Sequence, residues 1–369
     1  MAAIKMATSL FQNLPNKKEY RRIMKRGYVK ALDLKQGCVD MTHGSGGKAM
    51  AQLIDEVFLK AFDNQWLAQK NDQALFSVNS GRMVVATDSH VITPLFFPGG
   101  DIGALSVHGT VNDVAMSGAN PLYLSAGFIL EEGFPLCDLV KIVDSMAAAA
   151  KEAGVAIVTG DTKVVERGKG DGVFISTTGI GVVPEGVNIS GNRAQPGDKI
   201  LVSGTIGDHG VAVMSKRENL EFETAIKSDT QSLNDLVKSM LSAVSDIHVL
   251  RDPTRGGLAT TLNEIADQSE VGVQIFESSI PQRDEVKAAC EFLGLDPLYV
   301  ANEGKLLAIC SAEDAQALLE AMRRHPKGQD AAIIGDIIED DNHFVQMQTA
   351  FGGNRIVDWL AGEQLPRIC

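Results

Sequence analysis

Val155-Ala156-Ile157-Val158-Thr159-Gly160-Asp161-Thr162-Lys163 follows the stretch Leu136–Ala153 with a single glycine between them, and this junction decides the fold class. Leu136–Ala153 has the apolar spacing of a helix, and Val155–Val158 is a short apolar run of the kind that forms a buried strand. The same alternation continues outward in both directions. Upstream, Met83–Ala86 reads as a strand, Ile102–Ser117 as a helix and Leu122–Leu130 as a strand. Lys48–Phe62 places Met50, Ile54, Val57, Phe58 and Phe62 at helical spacing. Downstream, Val173–Val183 is strand-like, and a turn-rich break runs from Pro184-Glu185-Gly186 to Gln195-Pro196-Gly197-Asp198. Beyond it, strands are expected at Lys199–Val202, Val271–Phe276, Leu306–Cys310 and Ala332–Ile338. Helices are expected around Gly210–Ser215, Ser232–Ser245, Gly256–Gln268, Asp284–Leu293 and Ala312–Arg324. The expectation is an α/β chain of two mixed lobes, 39–184 and 196–345. A basic extension, 1–38, precedes them and a tail, 346–369, follows.

With 369 residues, 44% of them hydrophobic, the chain can bury a sizeable core. No apolar run approaches the ~18–20 residues that span a bilayer, so no membrane segment is expected. The five cysteines (38, 137, 290, 310 and 369) are scattered, with no Cys-x-x-Cys pair. That suits a reducing, cytoplasmic setting rather than a disulfide framework or a zinc site. The net charge of −13 hides an asymmetry: residues 1–39 hold nine Lys/Arg against two Asp/Glu, so the remainder carries −20. A body that acidic is a poor nucleic-acid partner.

Three carboxylates share one kind of position. Asp88 follows Val84-Val85-Ala86-Thr87, Asp161 follows Ile157-Val158-Thr159-Gly160, and Asp252 follows His248-Val249-Leu250-Arg251. Each closes an apolar run, and strand ends are where open α/β sheets place ligands. Asp113, beside Asn112, lies in a helical run. Converging carboxylates repel unless a hard cation shares them, and Mg²⁺ with nucleotide phosphates is the usual solution. A single Asp in such a place is as readily a turn or cap residue. His43-Gly44-Ser45-Gly46-Gly47 precedes a helix, as a phosphate-cradling loop would, and Arg255-Gly256-Gly257 resembles it with an added guanidinium. Lys163 is two residues beyond Asp161. Glu303, in Glu303-Gly304-Lys305, is placed to act as a general base, although either residue also suits a surface ion pair.

The chain ends Glu363-Gln364-Leu365-Pro366-Arg367-Ile368-Cys369. A thiol on the last residue has reach: an arm from Gly352 onward, fully extended, would span roughly 60 Å.

In order, His43-Gly44-Ser45-Gly46-Gly47, Thr87-Asp88-Ser89, Asn112-Asp113-Val114, Gly160-Asp161-Thr162-Lys163, Arg251-Asp252-Pro253-Thr254-Arg255-Gly256-Gly257 and Asn302-Glu303-Gly304-Lys305 resemble the ATP-dependent superfamily of aminoimidazole ribonucleotide synthetase, selenophosphate synthetase and thiamine-monophosphate kinase. With the terminal Pro-Arg-Ile-Cys, the resemblance narrows to the hydrogenase maturation proteins of that superfamily, and it runs from about Val39 to Cys369. It implies two lobes of the aminoimidazole ribonucleotide synthetase type, the N-terminal one forming a dimeric β-barrel, with a flexible C-terminal tail. It also implies a carbamoyl dehydratase. A carbamoyltransferase, HypF, would load Cys369; ATP and Mg²⁺ would dehydrate the thiocarbamate to a thiocyanate. The cyano group would pass to a HypC–HypD iron-carrying complex for a nickel–iron hydrogenase. By the same resemblance, Asp88, Asp113, Asp161 and Asp252 are metal ligands. Gly44, Ser45, Gly46, Gly47, Asn112, Thr162 and Arg255 bind nucleotide, and Cys369, Lys163 and Glu303 carry the chemistry. Two other readings remain open on the residues: another ATP-dependent enzyme of this fold, and a non-catalytic thiol carrier regulated by ATP.

Overall fold

The structure is a computed structural model that describes residues 47–53, 74–78, 81–220, 226–362 and 365–369. His43, Gly44, Ser45, Gly46 and the basic extension lie outside the described residues. The first lobe is built on a five-stranded sheet of β1 (Ala74–Val78), β2 (Gly81–His90), β3 (Asn120–Glu131), β4 (Ala156–Val165) and β5 (Val173–Val183), in spatial order β1-β2-β5-β3-β4. Strands β3 and β4 are parallel, joined by the crossover helix that the opening stretch of sequence predicts, Leu136–Ala153, and the other pairs are antiparallel. Among the described residues this is an open sheet, not a closed barrel.

Helix α2 (Ile102–Ala115), which follows α1 (Lys48–Leu53), is the pillar of the lobe. Asp101 caps it, accepting from Gly103 N at 2.7 Å and Ala104 N at 3.1 Å. Nearly every residue of α2 is buried, because one side lies on the sheet and the other meets α3 (Leu136–Ala153) and the second lobe. The close approach to the sheet depends on missing side chains in β5. A Cβ on Gly181 would lie 2.6 Å from Val114 Cγ1, and one on Gly179 2.9 Å from Thr110 Cγ2. The buried face of β5 alternates strictly, and a buried hydroxyl pair, Thr110–Thr177 at 2.6 Å, pins helix to strand. On the opposite face of the sheet, Tyr123, Ile129 and Val182 are exposed.

The second lobe has seven strands in the order β12-β11-β8-β10-β6-β9-β7: β6 (Lys199–Val202), β7 (Ile247–Arg251), β8 (Gly272–Phe276), β9 (Leu307–Cys310), β10 (Ala332–Ile338), β11 (Val345–Gln348) and β12 (Asn354–Ile356). Its helices are α4 (Asp208–Arg217), α5 (Asn234–Ala243), α6 (Gly257–Ser269), α7 (Asp284–Leu293) and α8 (Ala315–Arg324). One core joins α6 to a face of this sheet; a second joins the other face to α5, α8 and, continuously, to Val84, Val114 and Met116 of the first lobe. Covered on both faces, β9 is apolar throughout, which is why Leu306–Cys310 reads as an unbroken run. The segment read from sequence as tail, 346 onward, first completes this sheet as β11 and β12, and Val357 and Leu360 are buried. No helix among the described residues is long and apolar enough to cross a membrane.

His108 of α2 sits at the seam between the lobes, its Nδ1 3.0 Å from Thr230 Oγ1 and its Nε2 without a hydrogen-bond partner among the described residues. Burial lowers its pKa to about 4, Glu152 opposing and Lys327 assisting. The unfolded chain therefore binds this proton near pH 6.5 and the folded one only near 4, so its contribution is intact above 6.5 and is lost as pH falls to 4. The limit of that effect is about 3 kcal/mol. Thermal unfolding followed from pH 7 to 4 should show a shallower decline for His108→Gln than for the parent protein.

Candidate active site

The terminal cysteine is half-buried, between the lobes. Val91 N donates to a main-chain oxygen of Cys369 at 3.0 Å and Thr93 N to the Arg367 carbonyl at 3.2 Å, so the tail runs antiparallel beside the residues that follow β2. Ile368 is 3% exposed and packs with the core around α2. Around the Cys369 thiol stand Arg255, Glu303, Asp88 and Asp113. Burial pushes this thiol up to about 12; Arg255 works against the shift and the three carboxylates with it. In this position the sulfur is a neutral thiol.

Each neighbour is fixed by a different element. Asp88 occurs two residues before the end of β2, facing α2, with Oδ2 3.2 Å from His90 Nε2. Burial alone would raise its carboxyl, but His90, Arg255 and the Ser89 N–H outweigh that and bring it down to about 2. Asp113 is on α2, and Asp252 opens the turn after β7. That turn runs tightly into α6: a Cβ on Gly257 would lie 2.5 Å from the Leu298 carbonyl oxygen, and Gly257 adopts φ +60. Asn302 braces the same turn, donating to the Pro253 carbonyl at 2.9 Å and accepting from Gly207 N at 2.8 Å.

Glu303 is buried, and its Oε1 has no hydrogen-bond partner among the described residues. Burial first, then the charges of Asp88, Asp252 and Asp229, hold its carboxyl well above the ordinary range, with Arg255 opposing. Its backbone is held by Asp229, which accepts from Glu303 N at 3.1 Å and Gly304 N at 3.2 Å and pairs with Lys305 at 3.3 Å.

The structure thus brings together Cys369, Arg255, Glu303, Asp88, Asp113 and Asp252. Asn112, expected to face nucleotide, instead spends its amide on the protein: it donates to the Gln231 carbonyl at 3.0 Å and accepts from Leu233 N at 2.7 Å. Gly47 lies under the base of the tail, where a Cβ would come 2.3 Å from the Leu360 carbonyl oxygen. Asp161, Thr162 and Lys163 lie elsewhere. The expectation that Asp88 and Asp161 close their strands is corrected, because β2 runs on to His90 and β4 to Val165; only Asp252 follows a strand end. Across the sheet, Asp88 pairs with Thr177, Thr177 with Ala126 and Ala126 with Gly160. Three strand spacings put the β4 residues about 14 Å from Asp88. Lys163 pairs with the outward-facing Ile129, so it also lies on the face opposite Asp88.

Among the described residues no three His, Cys, Asp or Glu groups are near enough to share one metal ion. Mg²⁺ with a nucleotide commonly uses one or two carboxylates, with waters and phosphates completing its shell, and Asp88, Asp113 and Asp252 suit that mode. No motif in the sequence singles out His90; its i, i+2 spacing from Asp88 on a strand is the available signal for their shared face. Nothing local marks Asp229.

The AIR synthase related protein N-terminal domain family matches residues 70–183, and the corresponding C-terminal domain family matches 195–348. The chain is 69% identical over 338 residues to the carbamoyl dehydratase HypE of Azotobacter vinelandii, covering 92% of this chain and 99% of that protein. It is similar to the crystal structure of a HypE–HypF complex, with TM-score 0.80, 53% identity, and 84% and 99% of the two chains covered. It is also similar to the crystal structure of HypE in complex with ATP, with TM-score 0.77, 52% identity, and 90% and 100% covered.

Two kinds of defect should separate by experiment. Asp88→Asn should weaken Mg-nucleotide binding by about tenfold or more, since a carboxylate holding a cation acts in the ground state. Glu303→Gln should leave binding within a few-fold and slow turnover by roughly 10²–10⁴. Calorimetric titration beside single-turnover rates measures both.

Proposed function

Because the chain belongs to the HypE carbamoyl dehydratases of the AIR synthase related family, and so is an ATP-dependent enzyme of hydrogenase maturation, we propose that Cys369 carries the reacting group and that the cluster around it performs the dehydration. The observation that carries this reading is the terminal thiol seated among Arg255, Glu303, Asp88 and Asp113.

The chemistry follows from the charges. A carboxamide oxygen is a poor leaving group, and phosphoryl transfer from ATP makes it a good one. The carbonyl oxygen of the Cys369 thiocarbamate takes the γ-phosphoryl while its nitrogen loses one proton. The C–O bond then breaks, phosphate departs, the nitrogen loses its second proton and the C≡N bond forms. Thiocarbamate and ATP thus become thiocyanate, ADP, phosphate and a proton. Glu303 takes a proton from nitrogen; in its ionised form, buried beside Asp88 and Asp252, it is a strong base. Arg255 faces the developing charge on the transferred phosphoryl group. One or two of Asp88, Asp113 and Asp252 would hold a Mg²⁺ ion, which would supply charge neutralisation on the phosphates.

The docked sulfur suits a loaded tail and not an unloaded nucleophile. A thiocarbamate sulfur is neutral, whereas accepting a carbamoyl group needs a thiolate, which burial here disfavours. Loading by the partner carbamoyltransferase, HypF, therefore takes place with the tail released. The cyano group then passes to the HypC–HypD complex, all within the cytoplasm.

We further assign the exposed apolar face of the first sheet, with Tyr123, Ile129 and Val182, to a second copy of the chain. Lys163, Asp161 and Thr162 lie too far from Asp88 to join its site within one protomer, and on this reading they serve the neighbouring protomer's site, Lys163 at the leaving oxygen. Mixed dimers test it. Lys163→Ala and Cys369→Ala should each be inactive alone. Together they should regain dehydration in one of the heterodimer's two sites, measured as tail thiocyanate by mass spectrometry. No recovery means that Lys163 acts on its own chain or not at all.

A further inference from the structure

The tail is gripped by its backbone. Arg217, the last residue of α4, donates through Nη1 to the Pro366 carbonyl at 2.7 Å and through Nη2 to the Arg367 carbonyl at 2.8 Å. It also braces itself on Thr93 O through Nε at 2.9 Å and Nη2 at 2.6 Å. On the same helix, His209 Nε2 is 2.8 Å from the Ile368 carbonyl and its Nδ1 is 2.7 Å from Ser228 Oγ. A carbonyl only accepts, so Nε2 carries the hydrogen and Nδ1 accepts from the Ser228 hydroxyl. Val91 N donates to a main-chain oxygen of Cys369 at 3.0 Å. Four consecutive tail residues, 366 to 369, therefore each offer a main-chain oxygen to a donor from the protein body. On the tail side, Arg367 returns the grip with Nε on Val91 O at 3.0 Å and Nη1 on Asp171 at 2.6 Å.

We propose that Arg217 and His209 are positioning residues that set the register of the docked tail, and so decide which residue presents its side chain to Asp88, Arg255 and Glu303. The proposal rests on the reading that Cys369 carries the reacting group. Two features argue for register rather than simple adhesion. Every hydrogen bond from α4 to the tail is to a main-chain oxygen, so these bonds measure distance along the chain from residue 366 onward, while Val213 and Met214 of α4 share a core with Leu365 and Ile368. The planar guanidinium spans two successive tail carbonyls, which a single ammonium cannot do in the same fixed geometry. Burial of Ile368 then leaves a one-residue slip without a pocket to accept it. Such a slip moves the thiol by about 3.3 Å along the strand, well beyond the roughly 1 Å within which reacting groups keep their advantage.

Two variants of the full-length protein test this, each assayed for carbamoyl loading by HypF, single-turnover ATP-dependent dehydration, and alkylation of Cys369 by a small thiol reagent. Arg217→Met should still load, should alkylate at Cys369 about tenfold faster or more, and should dehydrate about tenfold more slowly or worse. A single glycine inserted between Ile368 and Cys369 leaves the body untouched. It should load normally and lose about a hundredfold in dehydration. Dehydration at the parent rate from the glycine insertion overturns the proposal, whether or not Arg217→Met folds. So does an Arg217→Met protein whose Cys369 is alkylated no faster than the parent. If the parent protein itself gains no carbamoyl adduct on Cys369, the functional reading fails instead, and the alkylation comparison still decides whether Arg217 holds the tail.

Discussion

The amide of Asn112 holds the two halves of the site in alignment. It reaches from the buried helix of the first lobe to the Gln231 carbonyl and the Leu233 N–H of the second, and lies 3.5 Å from the Glu303 carbonyl. Asp113, the next residue, belongs to the charged cluster, and Leu233 heads a run of buried side chains shared by both lobes. A buried amide whose two ends both find partners in one arrangement resists sliding, because any shift strands a polar group without water. Asp229 extends the same logic by gripping the backbone of Glu303 and Gly304 from the other side. The Glu303 carboxyl is thus placed by hydrogen bonds to its own main chain, while its side-chain Oε1 has no hydrogen-bond partner among the described residues.

The electrostatics around Cys369 divide the work in space. Inside, carboxylates and burial keep the sulfur protonated; outside, an ordinary thiol ionises far more readily. A group is attached where the sulfur is nucleophilic and transformed where it is not.

The elements legible from sequence are those whose burial is one-sided and continuous. Leu136–Ala153, Asp284–Leu293, Lys199–Val202 and Ala332–Ile338 fall where the spacing places them. Strand β4 extends beyond its apolar run because, among the described residues, it is an edge strand paired with β3 alone, and an edge tolerates Gly160-Asp161-Thr162-Lys163 among its polar positions. Strands β11 and β12 carry too few apolar residues to announce themselves, and they exist because β8 offers a partner to β11 and β11 one to β12. The carboxylates and Glu303 were visible as residues, but their grouping was not. Convergence of Asp88, Asp113, Asp252 and Glu303 is a product of lobe packing, and no local pattern encodes which face of a sheet Lys163 will share.

The crowd of charges around the terminal sulfur has a spectroscopic consequence. A thiocyanate formed there is a strong, narrow oscillator in a region of the infrared where proteins are nearly transparent. Its bond would be held in the field of one guanidinium and several carboxylates at fixed positions. On release into water, that field is replaced by fluctuating solvent dipoles and hydrogen bonds to the nitrogen. The product of the reaction is thereby its own vibrational probe, its stretching frequency and linewidth distinguishing an enclosed tail from a released one without any added label.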